Sequence, residues 1–241
     1  MALKHSGVFL AALWLVLVAL TAAFAPRLTP QDPFATHPEQ SLAAPSFQHP
    51  LGTDLLGRDV FSRLVWGGRR TLGTALLAVS LTSGLGSVLG LWAGYAGGRW
   101  DTWLMRGVEV LLSLPQLLVA LIVASAFGRG AWPVGMAVGL AGVASFARLA
   151  RAAAQQVRTQ PFIQSAEALG LSALRVVVRH VLPNVAAQLA AFTSIHFAWA
   201  ILNTAALTFL GFGGGLSTPD WGVMLNDGRA YLLSAPWVST A

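Results

Sequence analysis

Long apolar runs alternate with short polar ones along this chain, and the alternation predicts a bundle of membrane helices. Gly7 to Ala25 carries no charged residue and follows Lys4 and His5; its length suits a hydrocarbon core about 30 Å thick. Ala23-Phe24-Ala25 resembles a signal-cleavage site. The apolar stretch exceeds the usual signal core, however, and Pro26 stands directly after the bond, so the run is read as an uncleaved anchor. Hydrophobicity then collapses from Pro26 to about Gly68, where prolines at 26, 30, 33, 38, 45 and 50 forbid a continuous helix and predict an aqueous loop. Near its end Asp59 stands at helical spacing from Arg63, with Val60, Phe61, Leu64 and Val65 on the other side. That describes a short amphipathic helix at the membrane surface leading into the next span, with an ordinary surface helix the simpler reading on composition alone.

Thr71 to Tyr95 is the second predicted span. Thr82, Gly86, Gly90, Gly94 and Gly98 recur at every fourth position. Small residues so spaced let another helix backbone approach closely; helix packing is the preferred reading and an aqueous pore lining the alternative. A charged turn is predicted over 97–107, with Arg106 placed to pair with Glu109. Val108 to Phe127 makes a third span interrupted by Pro115, Gly128 to Ala131 a tight turn, and Trp132 to Ala147 a fourth, shorter span. Val185 to Phe212 is the fifth. Its polar residues face a helix partner or a water-filled path, and His196 and Asn203 are the candidates for the path. The tail from Gly213 to Ala241 is rich in Gly, Pro and Ser and has no run long enough for a sixth span.

A polar, basic island from Thr159 to Asn184 separates the fourth and fifth spans. Pro161 suits the first turn of a helix, and Gly170 suits the left-handed residue that closes one. Ser172 is placed to cap a second short helix that must end near Pro183. Phe162, Ala166 and Leu169 share helical spacing on the first of these helices. Such a stripe fits a groove on a soluble partner and equally a connector resting on lipid headgroups.

With 55% apolar and 10% charged residues, the chain has too little polar surface for a soluble globule of 241 residues. Its net charge of +6 is spread along the chain, and Lys4 is its only lysine, which excludes a nucleic-acid stripe. Cysteine is absent, and with it thiolate metal sites and cysteine nucleophiles. Placing Lys4 inside puts Arg99, Arg106, Arg148, Arg151, Arg158, Arg175 and Arg179 inside, against Arg129 and Arg229 outside, as the positive-inside rule requires. The loop cations Arg27, Arg58, Arg63, Arg69 and Arg70 run against it. The expected layout is a cytoplasmic N-terminus at 1–6, a first span at 7–25 and an extracytoplasmic loop and lead-in helix at 26–70. A membrane core comes next at 71–212 with its cytoplasmic loop at 148–184, then an extracytoplasmic segment at 213–241.

Three separated motifs resemble one family, the permease subunits of ATP-binding-cassette importers, in the second-permease type of the dipeptide, oligopeptide and nickel branch. His49-Pro50-Leu51-Gly52-Thr53-Asp54 with Gly57-Arg58-Asp59 looks like that branch's signature after the first span. The island resembles the loop by which such permeases dock on their ATPases, with Gln164-Ser165-Ala166, Gly170, His180 and Leu182-Pro183 at the motif positions. Thr208 to Phe212 followed by Pro219-Asp220-Trp221-Gly222 is similar to the segment before the family's last span. Gln164 replaces the usual glutamate, and Glu167 on the same helical face is the candidate substitute. Relatives continue through a sixth span that this sequence lacks.

The resemblance implies an all-α, polytopic transmembrane bundle with a cytoplasmic coupling helix, in the cytoplasmic membrane of a prokaryote. It implies a heterodimer with a second permease, two cytoplasmic ATPases carrying the ATP and Mg, and an extracytoplasmic solute-binding protein. The ATPase-coupling residues are then Pro161, Phe162, Gln164, Ser165, Ala166, Glu167, Leu169, Gly170, Leu182 and Pro183. Peptide is the expected cargo and nickel or a metal chelate the alternative. No Gly-rich segment is followed by Lys-Ser or Lys-Thr, so the chain has no phosphate-binding loop, and no cofactor of its own is expected. The five histidines form no ligand pair at one-turn spacing and there is no Gly-x-Ser-x-Gly elbow, which leaves catalysis and metal binding without support. A stand-alone secondary transporter would call for inverted repeats and mid-membrane charges, and neither is evident.

Overall fold

Helices occupy the long apolar runs, and most breaks between them fall at glycine or proline, where the chain can turn or must lose a hydrogen bond. The computed structural model describes residues 2–215 and 218–240, with side chains from Leu13 onward. Met1, Ala241 and the side chain of Lys4, on which the expected N-terminal orientation rests, lie outside them. In chain order the helices are α1 (Ala2–Ala23), α2 (Ala25–Leu28), α3 (Val60–Ala96), α4 (Gly98–Leu112), α5 (Gln116–Phe127) and α6 (Ala131–Arg158). Beyond them lie α7 (Pro161–Ala168), α8 (Ala173–Val176), α9 (Leu182–Leu207), α10 (Trp221–Gly228) and α11 (Trp237–Thr240). Among the described residues α3, α6 and the run from Ala173 to Phe212 are long and apolar enough to cross a membrane. α4 and α5, bent by 91° at their junction, supply a fourth if they count as one broken span. The protein is an all-α membrane helix bundle.

Three local expectations are corrected. The charged turn at 97–107 is helix: Asp101, Met105 and Val108 point inward at one-turn spacing while Trp100, Trp103 and Arg106 point out, an amphipathic pattern with no proline to interrupt it. Arg106 lies over the Trp103 ring, 5.7 Å from its centroid, instead of pairing with Glu109. The helix after Ser172 does not end near Pro183 either. A π turn over Val177–Val181, in which Leu182 N–H donates to the Val177 carbonyl, widens the backbone just ahead of the proline ring. Asn184 Nδ2 donates to the His180 carbonyl at 2.6 Å, and the run continues as α9.

The chain divides into two compact units. The first comprises Met1–Thr74, Arg129–Ala131 and Thr204–Ala241. Its interior is unusually polar. Asp54 accepts from Arg58 Nε at 2.6 Å and from the Leu56 and Arg58 amides, and lies 3.5 Å from Arg63 Nε. Asp59 accepts from the Ser62 amide and pairs with His49 Nδ1 at 3.0 Å, while His49 Nε2 meets Gln40. The expected surface helix is not at the surface on its polar side: Asp59 and Arg63 are 2% and 1% exposed, whereas of the expected apolar face Val60 is buried and Phe61, Leu64 and Val65 are only partly covered. Arg63 reaches Asp54 and the Pro33 carbonyl, and these loop partners, invisible to helical periodicity, draw the polar face inward. α10 begins at Asp220, which caps the Gly222 amide and accepts from Thr71. Trp221 Nε1 donates to the Leu64 carbonyl, and Trp237 Nε1 to that of Thr53.

Asp227, on α10 3.8 Å from Arg58, has its carboxyl pushed up by burial, which outweighs the opposing pull of Arg58 and Arg63. A raised carboxyl pKa means the folded state binds that proton more tightly than the unfolded chain. The Asp227 contribution to stability therefore grows as pH falls through the folded value and is complete below the unfolded value of about 3.9. Compared with the native chain, Asp227→Asn should lose that acid-side gain in thermal melts run between neutral and acid pH. Identical pH profiles would contradict the assignment.

The second unit comprises Ala75–Gly128 and Trp132–Asn203. Here α3 crosses α6 with glycine on both sides. A Cβ on Gly86 would stand 2.8 Å from that of Phe146, and one on Gly94 2.8 Å from that of Ala154. One on Gly90 would overlap the Ala147 carbonyl oxygen. In return Gly139 and Gly142 of α6 admit Leu81 and Thr82, and Thr82 Oγ1 donates to the Gly139 carbonyl at 2.8 Å. The side of α3 carrying Thr82, Gly86, Gly90 and Gly94 is thus filled by α6, while Gly98 has open space. Asp101 of α4 holds Arg151 of α6 by two hydrogen bonds, at 2.5 and 2.6 Å.

Candidate coupling site

The island forms a short helix hung from a buried anchor. Pro161 opens α7 after Gln160, whose carbonyl accepts from the Ile163 and Gln164 amides. The helix closes at Gly170, with φ +79°: Gly170 N–H donates to the Glu167 carbonyl and Leu171 N–H to that of Ala166, the paired bonds of a Schellman end. Ser172 occupies the cap position of α8, but its side chain makes no capping bond, which corrects the expected cap.

Ile163 is fully buried and Ala166 nearly so, in a cluster with Tyr95, Phe146, Val176 and Val181. Burying the Ile163 side chain is worth roughly 1.5–3 kcal/mol, enough to hold two turns of helix that would be marginal alone. The predicted stripe of Phe162, Ala166 and Leu169 is split: Ala166 turns inward, whereas Phe162 is exposed and Leu169 is 81% exposed. Ile163 is the anchor that periodicity passes over. A helix this short carries two overlapping apolar stripes, and only its neighbours decide which is inward.

Gln164 and Ser165 lie on the exposed side, with the Ser165 hydroxyl donating back to the Pro161 carbonyl. Glu167, the candidate substitute for the missing glutamate, accepts through Oε1 from the Tyr95 hydroxyl at 2.9 Å, so part of it is engaged within the chain. Leu182 and Pro183 are exposed, between the buried Val181 and Val185. Of the two candidates for the path, His196 sits half-buried with Nδ1 on the Phe192 carbonyl and Nε2 3.3 Å from Ser145, against the Phe146 ring. Asn203 donates to the Trp199 carbonyl one turn back. Both ring nitrogens of His196 and the amide nitrogen of Asn203 are therefore partnered locally. Among the described residues no group of His, Cys, Asp and Glu could hold a metal ion.

Residues 86–239 match the family described as binding-protein-dependent transport system inner membrane component. The chain is 38% identical to the dipeptide transport system permease protein DppC of Alkalihalophilus pseudofirmus, over 90% of its own length and 72% of the relative's. It is 37% identical to the glutathione transport system permease protein GsiD of Escherichia coli, over 95% of its own length and 76% of that protein's. These matches, which extend over most of the chain, show that it belongs to the permease subunits of ATP-binding-cassette importers, in their dipeptide and glutathione branch.

Proposed function

We propose that this chain is one permease of a heterodimer that moves di- or oligopeptides inward across the cytoplasmic membrane, driven by two separate ATPases and fed by a solute-binding protein. The observation that carries the reading is α7 itself: a helix fixed from within by Ile163 and offering Phe162 and Leu169 outward. An apolar pair of that kind on a rigid helix suits a groove on a soluble partner. The transport names of the dipeptide and glutathione relatives support the cargo class. In this scheme closure of the ATPase pair moves α7, and Gly170 fixes its angle to α8.

Two experiments test it. The native chain should copurify with the ATPase subunits of its transporter, and deletion of 161–170 should abolish that association; retained association would overturn the docking role. A Cβ added at Gly170 meets no neighbour within 4 Å, so the penalty of Gly170→Val is chiefly conformational: a β-branched residue is forced to a positive φ. Uptake of labelled glutathione or dialanine should fall at least tenfold while the protein remains in the membrane. Normal coupled uptake would sink the lever, and nickel uptake unaffected by peptide would overturn the cargo.

A further inference from the structure

Glu167 stands at the middle of the proposed coupling helix, yet it does not project freely. Its Oε1 accepts from the hydroxyl of Tyr95, in the last turn of α3, at 2.9 Å. The tyrosine is 7% exposed and packs among Ile163, Ala166 and Phe146, so the hydroxyl reaches the carboxylate from a ring held on its other sides. Two further contacts gather the neighbouring helices at the same end of α3. Arg158, the last residue of α6, lays its guanidinium over Gly97, where an added Cβ would stand 2.6 Å from Nη1. Arg151, two turns earlier on α6, is forked onto Asp101 of α4. Three helices thus converge at the end of α3, and Tyr95–Glu167 is the hydrogen bond that ties α7 to it.

We propose that Tyr95 and Glu167 are positioning residues for energy coupling: the hydroxyl–carboxylate bond makes α7 and the end of α3 one mechanical body, so that a push received by α7 is delivered along a membrane-crossing helix. The inference rests on α7 being the ATPase-docking element. The apolar contact through Ile163 and Ala166 anchors α7 on the cluster, but being non-directional it sets the roll of the helix less tightly than a directional bond does. A charge-assisted hydrogen bond fixes both distance and angle.

The test uses the complete complex, with partner permease, ATPases and binding protein, in proteoliposomes. Uptake of labelled glutathione and dialanine is measured against ATP hydrolysed. Tyr95→Phe and Glu167→Ala should each lower uptake per ATP at least threefold, with as much complex recovered as for the native chain. The double variant should be no worse than either single one, as for partners in one bond. Glu167→Gln, which keeps an acceptor oxygen, should recover to within twofold of the native ratio, whereas Glu167→Met, of similar size but without that acceptor, should not, and lost packing alone would not produce that difference. Because the chain contains no cysteine, Tyr95→Cys with Glu167→Cys can also be joined cleanly by a short bifunctional thiol reagent. The joined complex should go on hydrolysing ATP at within twofold of the rate before joining. A native uptake ratio in Tyr95→Phe, additive losses in the double variant, or arrest of hydrolysis on joining overturns the proposal while leaving ATPase docking intact. Failure of the native chain to associate with any ATPase overturns both. If neither probe is taken up, the cargo reading falls and the joining experiment decides alone.

Discussion

Asp54→Ala should lower the stability of the first unit by about 3–5 kcal/mol, the cost typical of removing one partner from a buried ionic group. Two nearly buried guanidiniums, of Arg58 and Arg63, face this one carboxylate, and the Leu56 and Arg58 amides donate to it as well. Alanine would take the nearest carboxylate from two neighbouring cations that are almost wholly shielded from water, leaving Asp227 at 3.8 Å from Arg58. For a chain of this size the expected fall in the thermal midpoint, read on purified protein in detergent, is about 6–20 °C. Asp54→Asn should fall between, since its oxygen still accepts from the amides but brings no charge. A midpoint within a degree of native for Asp54→Ala would refute the network.

Gly90→Leu should be the most damaging change in the second unit. Its Cβ alone would overlap the Ala147 carbonyl oxygen and stand 2.7 Å from the Ala150 Cβ and 2.9 Å from the Arg151 amide nitrogen. Two of those three atoms are backbone, so no rotamer change relieves the clash, and α3 and α6 must separate. Overpacking of this kind costs about 3 kcal/mol or more when the backbone has to move, and here the separation would also strain the Thr82–Gly139 bond. The control lies six residues earlier on the same helix: a methyl group added at Gly84 would meet no atom within 4 Å. Gly84→Ala should stabilise by up to about 1 kcal/mol through helix propensity alone. Thermal midpoints moving in opposite directions would support the crossing, and equal effects would refute it.

The glycine row and the apolar runs are legible because both are written in local spacing: four-residue intervals lie on one helix face whatever surrounds them. Gly170 and Pro161 are legible for the same reason, since each is selected by its own backbone. The inward turn of Asp59 and Arg63 is not, because periodicity separates two faces of a helix without saying which is covered. The covering groups come from Pro33, Gln40, His49 and Asp54, in the proline-broken loop ahead of the helix, where no helical periodicity runs. Ile163 is hidden on the same grounds, and Tyr95 because its partner lies 72 residues away. α4 departs from expectation for another cause: its charges suggest a turn, when they mark only the exposed side of a helix.

The π turn at Val177–Val181 makes the loop a phase setting as well as a connection. Each residue added to or taken from a helix rotates everything beyond it by about 100°. Val176 before the turn, Val177 and Val181 at its two ends, and Val185 and Leu189 after it all reach the same buried cluster. Removing one residue beyond the turn, at Leu182 or Asn184, would therefore leave the composition of the run almost unchanged and yet swing the next helix a quarter-turn or more about its axis. Val185 and Leu189 would be carried out of the core and His196 away from Ser145. Substitutions in this stretch disturb one contact at a time, whereas a single-residue deletion would re-aim every side chain downstream.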